Sequence, residues 1–416
     1  MKIFRISSWK GQAGGAQLYI KTVNHFLQQE GYETYTVNIV TEEPDPNLVD
    51  GEVIKVGESV ATELRLNVFP SVDFITDIYS RYLRFSPDLV TIHSYGSPFL
   101  QIGEFIKKVT VPVIFNAHDA LLVCPINTLT KPDSIRCEGG IEFRCFFTGC
   151  QVGPKLAFDL VKRYYFDVTL LGKISAFICP SRSLAEYLHA HGYRPAIHLP
   201  SFVSDPDLIP ENKINGKLKF GYIGRLEPWK GVQYLLNAFR IVVNEYDSVD
   251  LVIAGKGPYE SKLKDLTLKL GIGDKVKFIG NVSGQDKEDF YSQTNVIVIP
   301  SSTWENHPLV AIEAQLRRRP VIGTDFGGIK EIIQDGKTGQ IVPIADHLSL
   351  SSAMLKFARN KDLISEYGNA GRERSLSMFT PGPHIKMLTL IYDMVARGKP
   401  VISPMEALKL INQQIT

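Results

Sequence analysis

Four short constellations carry residue types that can bind and polarise a charged ligand. In Gly224-Arg225-Leu226-Glu227-Pro228-Trp229-Lys230-Gly231 an apolar stretch, LKFGYIG (218–224), ends and a helical pattern begins at Val232. Arg225 can grip two phosphate oxygens with its planar fork, and Lys230 adds a compact positive charge. Cations at a helix N-terminus oppose the macrodipole, so an anionic ligand explains them better than a solvated basic turn does. In the segment Glu305-Asn306-His307-Pro308-Leu309-Val310-Ala311-Ile312-Glu313, two carboxylates stand eight residues apart after VIVIPS (296–301). Pro308 suits a first helical turn, which predicts Glu305 in the loop and Glu313 inside the helix. One carboxylate can then meet a polyol while the other reaches a second part of the ligand. Backbone N–H groups near Leu309 and Val310, lacking intrahelical acceptors, face the same space. Ordinary loop and helix glutamates are the plain alternative.

The other two constellations lie in the first half. Gly11-x-x-Gly14-Gly15 follows the strand-like KIFRIS (2–7). Glycines there let backbone N–H groups approach a ligand, with a helix N-terminus behind them. The spacing is neither G-x-G-x-x-G nor a P-loop, and a tight strand–helix turn explains it as well. Asn116-Ala117-His118-Asp119 comes directly after an apolar strand. Such a His is well placed to meet a ligand, although a lone His is more often structural. Asp119 could orient it or cap the next segment.

Five cysteines complete the set of reactive residues. Cys124, Cys137, Cys145 and Cys150 fall within 27 residues, with 12, 7 and 4 residues between them, and Cys179 stands apart. The start of the chain, MKIFRISSWKGQAGG, reads as a strand and a glycine turn rather than a signal peptide, which favours reduced thiols and a cytoplasmic setting. Clustered thiols there suit a structural zinc ion, and buried small hydrophobes suit the pattern too, since there is no Cys-x-x-Cys knuckle.

The elements that must position these residues alternate. Strand-like stretches at 2–7, 35–40, 89–93, 112–117 and 176–180 are separated by helical or irregular segments, the first a helix over Ala16–Glu30. Residues 200–217, with three Pro and no periodicity, read as a linker. Alternation resumes at 218–224, 249–255, 275–280, 296–301, 320–324 and 340–344. Two doubly wound, mainly parallel α/β domains follow, 1–200 with a Cys-rich insertion at 124–150, and 201–380. The helical stretch over 381–416 is expected to pack back on the first. Open α/β sheets bind ligands beyond the carboxyl ends of their strands, and two facing sheets would share a cleft.

Composition agrees. The 416 residues are 44% apolar and 22% charged, and 46 Lys+Arg against 44 Asp+Glu leave +2. That balance gives no reason to expect a nucleic-acid partner, and no apolar run approaches the ~20 residues of a membrane span. The stretch KLAFDLVKRYYFDVTLLGKI (155–174) could lean on a membrane surface, but its interspersed acids favour a helix packed on its own domain.

Taken together, Gly14-Gly15, His118, Gly224-Arg225-x4-Lys230-Gly231, AGKGP (254–258), Glu305-x7-Glu313 and FGGIKEIIQDGKTGQIVP (326–343) resemble the retaining glycosyltransferases of family 4 over nearly the whole chain. The resemblance implies the GT-B fold, two Rossmann-like domains facing across a cleft. It implies transfer of a sugar, of hexosyltransferase type, from a nucleotide-diphosphate donor to a glycan or lipid-linked acceptor in surface polysaccharide or glycolipid assembly. Arg225 and Lys230 would hold the donor diphosphate, Glu313 the ribose and Glu305 the sugar. Gly224, Asn306, Leu309 and Val310 would complete the donor site, His118 would lie near the anomeric centre, and Gly14 and Gly15 would allow close backbone approach. No Asp-x-Asp motif stands at a strand end, so no catalytic metal is expected. Gln17 and the run Arg317-Arg318-Arg319 depart from the common family pattern. An epimerase of the same architecture and a non-catalytic nucleotide-sugar-binding protein are the competing expectations, and peripheral contact with the inner membrane face is compatible with the leading one.

Overall fold

The computed structural model describes residues 1–399 apart from 10–14, 41–49, 56–71, 94–98, 125, 132–136, 138, 143, 148, 151–153, 208–211, 213 and 215. Gly11, Gly14 and residues 400–416 therefore lie outside the described residues. The chain divides into two compact units. One contains the described residues of 1–132, 137–199 and 381–399, the other those of 200–380.

The first unit is built on seven parallel strands: β1 Lys2–Trp9, β2 Glu33–Val40, β3 Glu52–Lys55, β4 Leu89–His93, β5 Val113–Asn116, β6 Ile174–Cys179 and β7 Ala196–His198. Their order across the sheet is 3-2-1-4-5-6-7. Parallel strands are covered on both faces, which is why β4 and β5 are buried throughout and read as continuous apolar runs. The crossover helix Gly15–Gln29 buries Ile20, Val23 and Leu27 at helical spacing. Phe4 of β1 meets Tyr82 edge-on and stacks on Phe105, joining the sheet to the helices Val72–Phe85 and Phe99–Lys108. The helix Pro381–Ala396 packs against Gly15–Gln29 and buries Leu388, Ile391 and Tyr392.

Two strands, β3 and β7, were not expected from the sequence. They are the sheet's edges, only four and three residues long, and Val53 of β3 is exposed. Edge strands of that length carry little apolar signal. The segment after the Cys-rich insertion is a helix, Pro154–Tyr165, that loosens into a π-turn at Phe166–Leu170. Phe166 is wedged among Phe115, Phe177 and Tyr193, while Val161, Tyr164 and Val168 remain exposed.

The second unit repeats the plan with six parallel strands: β8 Leu218–Ile223, β9 Val249–Ala254, β10 Val276–Gly280, β11 Val296–Ile299, β12 Val321–Thr324 and β13 Gly339–Val342. Their order is 10-9-8-11-12-13. The helix Val232–Glu245 buries Leu235, Leu236, Phe239 and Val242 and packs against His347–Arg359, whose start is capped by Asp346. In both sheets the strand order reverses beside the first strand, between β1 and β4 and between β8 and β11. Crevices at such switch points are where open α/β sheets take ligands.

Candidate functional site

In the second unit, the turn after β8 and the loop after β11 meet at the switch point. Gly231 has φ +73, and a Cβ there would stand 1.8 Å from the Pro300 carbonyl oxygen, so only glycine lets the two segments close. That approach carries Lys230 to Glu305, Nζ to Oε1 2.6 Å. Ser301 Oγ donates to the same carboxylate oxygen at 2.6 Å. The Glu305 backbone is fixed from behind: Gly328 N–H donates to its carbonyl, and a Cβ on Gly327 would clash with that oxygen at 2.1 Å. The FGG segment thus sets the height of Glu305. Gly255 and Gly257 of AGKGP press in the same way on the carbonyls of Gly224 and Leu226.

Glu313 lies inside the helix Leu309–Leu316 and Glu305 in the loop before it, as Pro308 predicts, with Pro308 as the residue that precedes the first turn. Glu313 accepts from Lys287 Nζ and from Tyr291 OH, each at 2.9 Å. Tyr291 is buried, and burial together with the neighbouring Glu313 holds its phenol protonated. The Arg317 guanidinium lies 4.7 Å from the centre of the Tyr291 ring, and Arg319 Nε donates to its carbonyl. Two arginines of the run 317–319 therefore support the residue that holds Glu313. Arg225 is three-quarters exposed and donates to Glu227. Asn306, Leu309 and Val310 line the start of the helix, half-buried.

The first unit gathers a buried polar cluster at its own switch point. Arg5 of β1 is fully buried and its Nη1 lies 2.7 Å from His93 Nε2, at the end of β4. His93 Nδ1 is 2.9 Å from His118 Nε2. Asn116 Nδ2 approaches His93 Nε2 at 3.4 Å. Tyr19 packs edge-on to His118, and its hydroxyl is 2.9 Å from His384 Nε2 of the helix Pro381–Ala396. Burial, then the Arg5 charge, lowers His118 to about 4, and the same causes lower His93. Asp119 accepts the Leu121 N–H and so caps the next turn; burial raises its carboxyl.

Of the residues singled out from the sequence, Lys230 and Glu305 are brought into contact, Glu313 has partners of its own, and Arg225 faces outward. Gly15 opens its helix and Gly224 closes β8, whereas Gly14 is outside the described residues. Sequence reasoning missed Arg5, His93, Tyr19, His384, Lys287, Tyr291 and Ser301. A charged residue inside the apolar KIFRIS and a His ending LVTIH were signals that could have found the first two.

The five cysteines are thiols, none in a disulfide. Cys124 and Cys145 are raised by burial first, and the charges of neighbouring cysteines add to it. Cys124 Sγ accepts from Leu129 N–H and Cys137 Sγ from Gly139 N–H, both at 3.4 Å. Among the described residues no three His, Cys, Asp or Glu side chains stand where they could hold one metal ion.

Comparison with known proteins agrees with this architecture. Residues 13–199 match the model of Glycosyltransferase Family 4, and 204–374 match that of Glycosyl transferases group 1. The chain is 28% identical over 183 residues to a phosphatidyl-myo-inositol mannosyltransferase of Mycobacterium leprae, a match spanning 43% of the chain and 48% of that relative. The similarity to a Methanocaldococcus jannaschii glycosyltransferase, 35% over 144 residues, spans 32% of the chain and 36% of the relative. With a D-inositol 3-phosphate glycosyltransferase of Arthrobacter it is 25% over 360 residues, 80% of the chain and 79% of the relative. A sucrose-phosphate synthase from Thermosynechococcus elongatus superposes with TM-score 0.72 at 19% identity, covering 96% of this chain and all of that one. HepE of Anabaena, solved with UDP, superposes with TM-score 0.71 at 14% identity, covering 94% and 100%. Two Rossmann-like sheets in the strand orders above, neighbours of this kind and the two adjoining family models give one conclusion: the chain has the GT-B fold and belongs to glycosyltransferase family 4.

Proposed function

We propose that the protein transfers a sugar from a nucleotide-diphosphate donor to an acceptor hydroxyl with retention of anomeric configuration. The observation that carries this reading is the Lys230–Glu305–Ser301 cluster at the second unit's switch point, where a cation and a carboxylate share one hydrogen-bonded contact. A diphosphate competes with Glu305 for the Lys230 ammonium, which leaves the carboxylate to accept from sugar hydroxyls. Arg225, three-quarters exposed and paired with Glu227, swings onto the same phosphates, and Glu313 takes the ribose. In the transfer the bond from the anomeric carbon to the diphosphate breaks, and its electron pair goes to the phosphate oxygen. Prearranged cations lower that barrier. The acceptor oxygen bonds to the anomeric carbon on the same face, and its proton passes to the departing phosphate.

The names of relatives that act on inositol lipids or build capsular polysaccharide, and the UDP bound by HepE, support a hexosyl donor and an acceptor in glycolipid or surface-polysaccharide assembly. Among the described residues no helix is long and apolar enough to cross a membrane. Exposed Phe146, Phe147, Tyr164 and Val168 give the first unit apolar side chains suited to peripheral contact with the membrane face where a lipid-linked acceptor resides. Catalysis on this reading needs no divalent metal. Structural zinc at Cys124, Cys137, Cys145 and Cys150 is tested by metal analysis of purified protein: no bound zinc in a folded sample removes it.

The deciding experiment follows a panel of nucleotide sugars with and without candidate acceptors, in chelator, by NMR. Acceptor-dependent release of nucleoside diphosphate and an axial or equatorial anomer matching the donor's supports the proposal. An inverted anomer removes retention. A changed sugar nucleotide formed without acceptor makes the protein an epimerase, and binding without turnover makes it a binding protein.

A further inference from the structure

The polar cluster of the first unit has a direction, and that direction fixes the chemistry of His118. Every N–H of a guanidinium is a donor, and arginine does not give up its proton in proteins. Arg5 Nη1, 2.7 Å from His93 Nε2, therefore donates, and His93 Nε2 must present its lone pair. The Asn116 amide nitrogen, also a donor, approaches the same atom. A neutral His93 with a bare Nε2 carries its proton on Nδ1. That proton points at His118 Nε2, 2.9 Å away, so His118 Nε2 is in turn an acceptor. His118 is left with its own proton on Nδ1.

We infer that Arg5 and His93 form a relay that locks His118 as a neutral imidazole in its Nδ1–H form, with Arg5 and His93 acting as positioning residues. Each alternative places two donors face to face. A proton on His93 Nε2 would confront Arg5 Nη1, and one on His118 Nε2 would confront the His93 Nδ1–H. Among the described residues no carboxylate pairs with Arg5, and its charge acts on both rings. The direction of both histidine shifts agrees, since the buried Arg5 charge lowers each.

The consequence for chemistry rests on the glycosyltransferase reading. The one ring proton that His118 then carries is on Nδ1, so the group it has to donate is an Nδ1–H. Its basic nitrogen is engaged by His93, so His118 orients or polarises a hydroxyl and does not remove its proton. The lock itself needs no substrate and can be tested alone.

The test is long-range proton–nitrogen NMR on protein labelled with 15N-histidine, at about pH 7. The expected His118 pattern is a protonated Nδ1 and an unprotonated Nε2, the less common tautomer of free imidazole. Arg5→Met should convert His118 to a mixture of both tautomers, while Arg5→Lys, which keeps a donor, should retain most of the wild-type pattern. A wild-type His118 protonated on Nε2, or doubly protonated, overturns the inference, even if Arg5→Met fails to fold. An unchanged pattern in folded Arg5→Met removes Arg5 from the relay. Failure of the protein to turn over any sugar nucleotide would sink the proposed function and leave the tautomer result standing, so the two fail separately.

Discussion

Lys230 and Glu305 neutralise one another across 2.6 Å, with the lysine less than a third exposed and the carboxylate more enclosed still. A pair in that position is ready to be split by an incoming diphosphate, which brings two negative charges to one cation. Lys230→Ala is expected to lower kcat by about 10²–10³-fold, the usual loss when one prearranged donor to a developing anion is removed. Unchanged kcat in a steady-state assay would refute the role. His118 makes a second prediction, with the sign set by linkage. Its folded form is held neutral, with the pKa lowered to about 4, whereas the unfolded ring takes a proton near 6.5. Between those values the unfolded chain binds more protons, so stability falls as pH drops through the window. Tyr19 packs on the ring, His93 hydrogen-bonds to it and the Arg5 charge acts on it, none of them a carboxylate; the buried Asp119 carboxyl next in the chain, raised by burial, works in the opposite sense and is left in place by the substitution. His118→Gln should lose stability less steeply than wild type between pH 7 and pH 4 in urea unfolding; parallel curves would contradict the account.

Glycine contacts between elements do more for the site than any helix or strand alone. Gly231 lets the turn after β8 touch Pro300, Gly327 lets the segment after β12 touch the Glu305 carbonyl, and Gly255 meets Gly224. Four loops, at the carboxyl ends of the neighbouring strands β9, β8, β11 and β12, are thereby drawn together. Gly231→Ala combines a positive φ with a Cβ 1.8 Å from backbone oxygen, so the backbone must move. A cost on the order of 1–3 kcal/mol is expected from such strain, read as a lower melting temperature together with weaker donor binding. A melting temperature equal to wild type would show that the approach is looser than this geometry. The Arg317–Tyr291–Glu313 chain works by a different route, with a buried ring and two guanidinium groups holding a helix glutamate in place. Arg317 and Arg319 thus have defined partners within the run 317–319.

At the scale of the whole chain, the first unit is completed by its last helix. Pro381–Ala396 returns to cover Gly15–Gln29 and delivers His384 and Tyr392 to the polar cluster, 365 residues from Tyr19 in the case of His384. Leu388, fully buried on that helix, tests the dependence. Leu388→Ala should cost about 2–5 kcal/mol, as for other large-to-small core changes. Hydrogen exchange should show the loss in the strands and helices of the first unit, with the second protected as before. Equal loosening of both units would mean that the helix does not belong to the first alone.

Strand–helix alternation, the break at 200–217 and the glycine, cation and carboxylate motifs were legible in the linear order of residues. Each depends on local spacing: a buried parallel strand is an apolar run, and a turn at positive φ selects glycine. The loop position of Glu305 and the helical position of Glu313 followed from Pro308 for the same reason. The partners of these residues were not legible. Ser301, Lys287 and Tyr291 are ordinary residue types in ordinary surroundings along the chain, and only strand order brings them to the carboxylates. Arg5, His93 and His118 lie on three different strands or loops, and His384 arrives from the far end of the chain. The sequence alone determined the motif residues Lys230, Glu305, Glu313 and His118 as groups that could do chemistry here. Tertiary structure decided which of them touch, and so which proton each one holds, because hydrogen bonds act over about 3 Å and only folding brings distant residues that close.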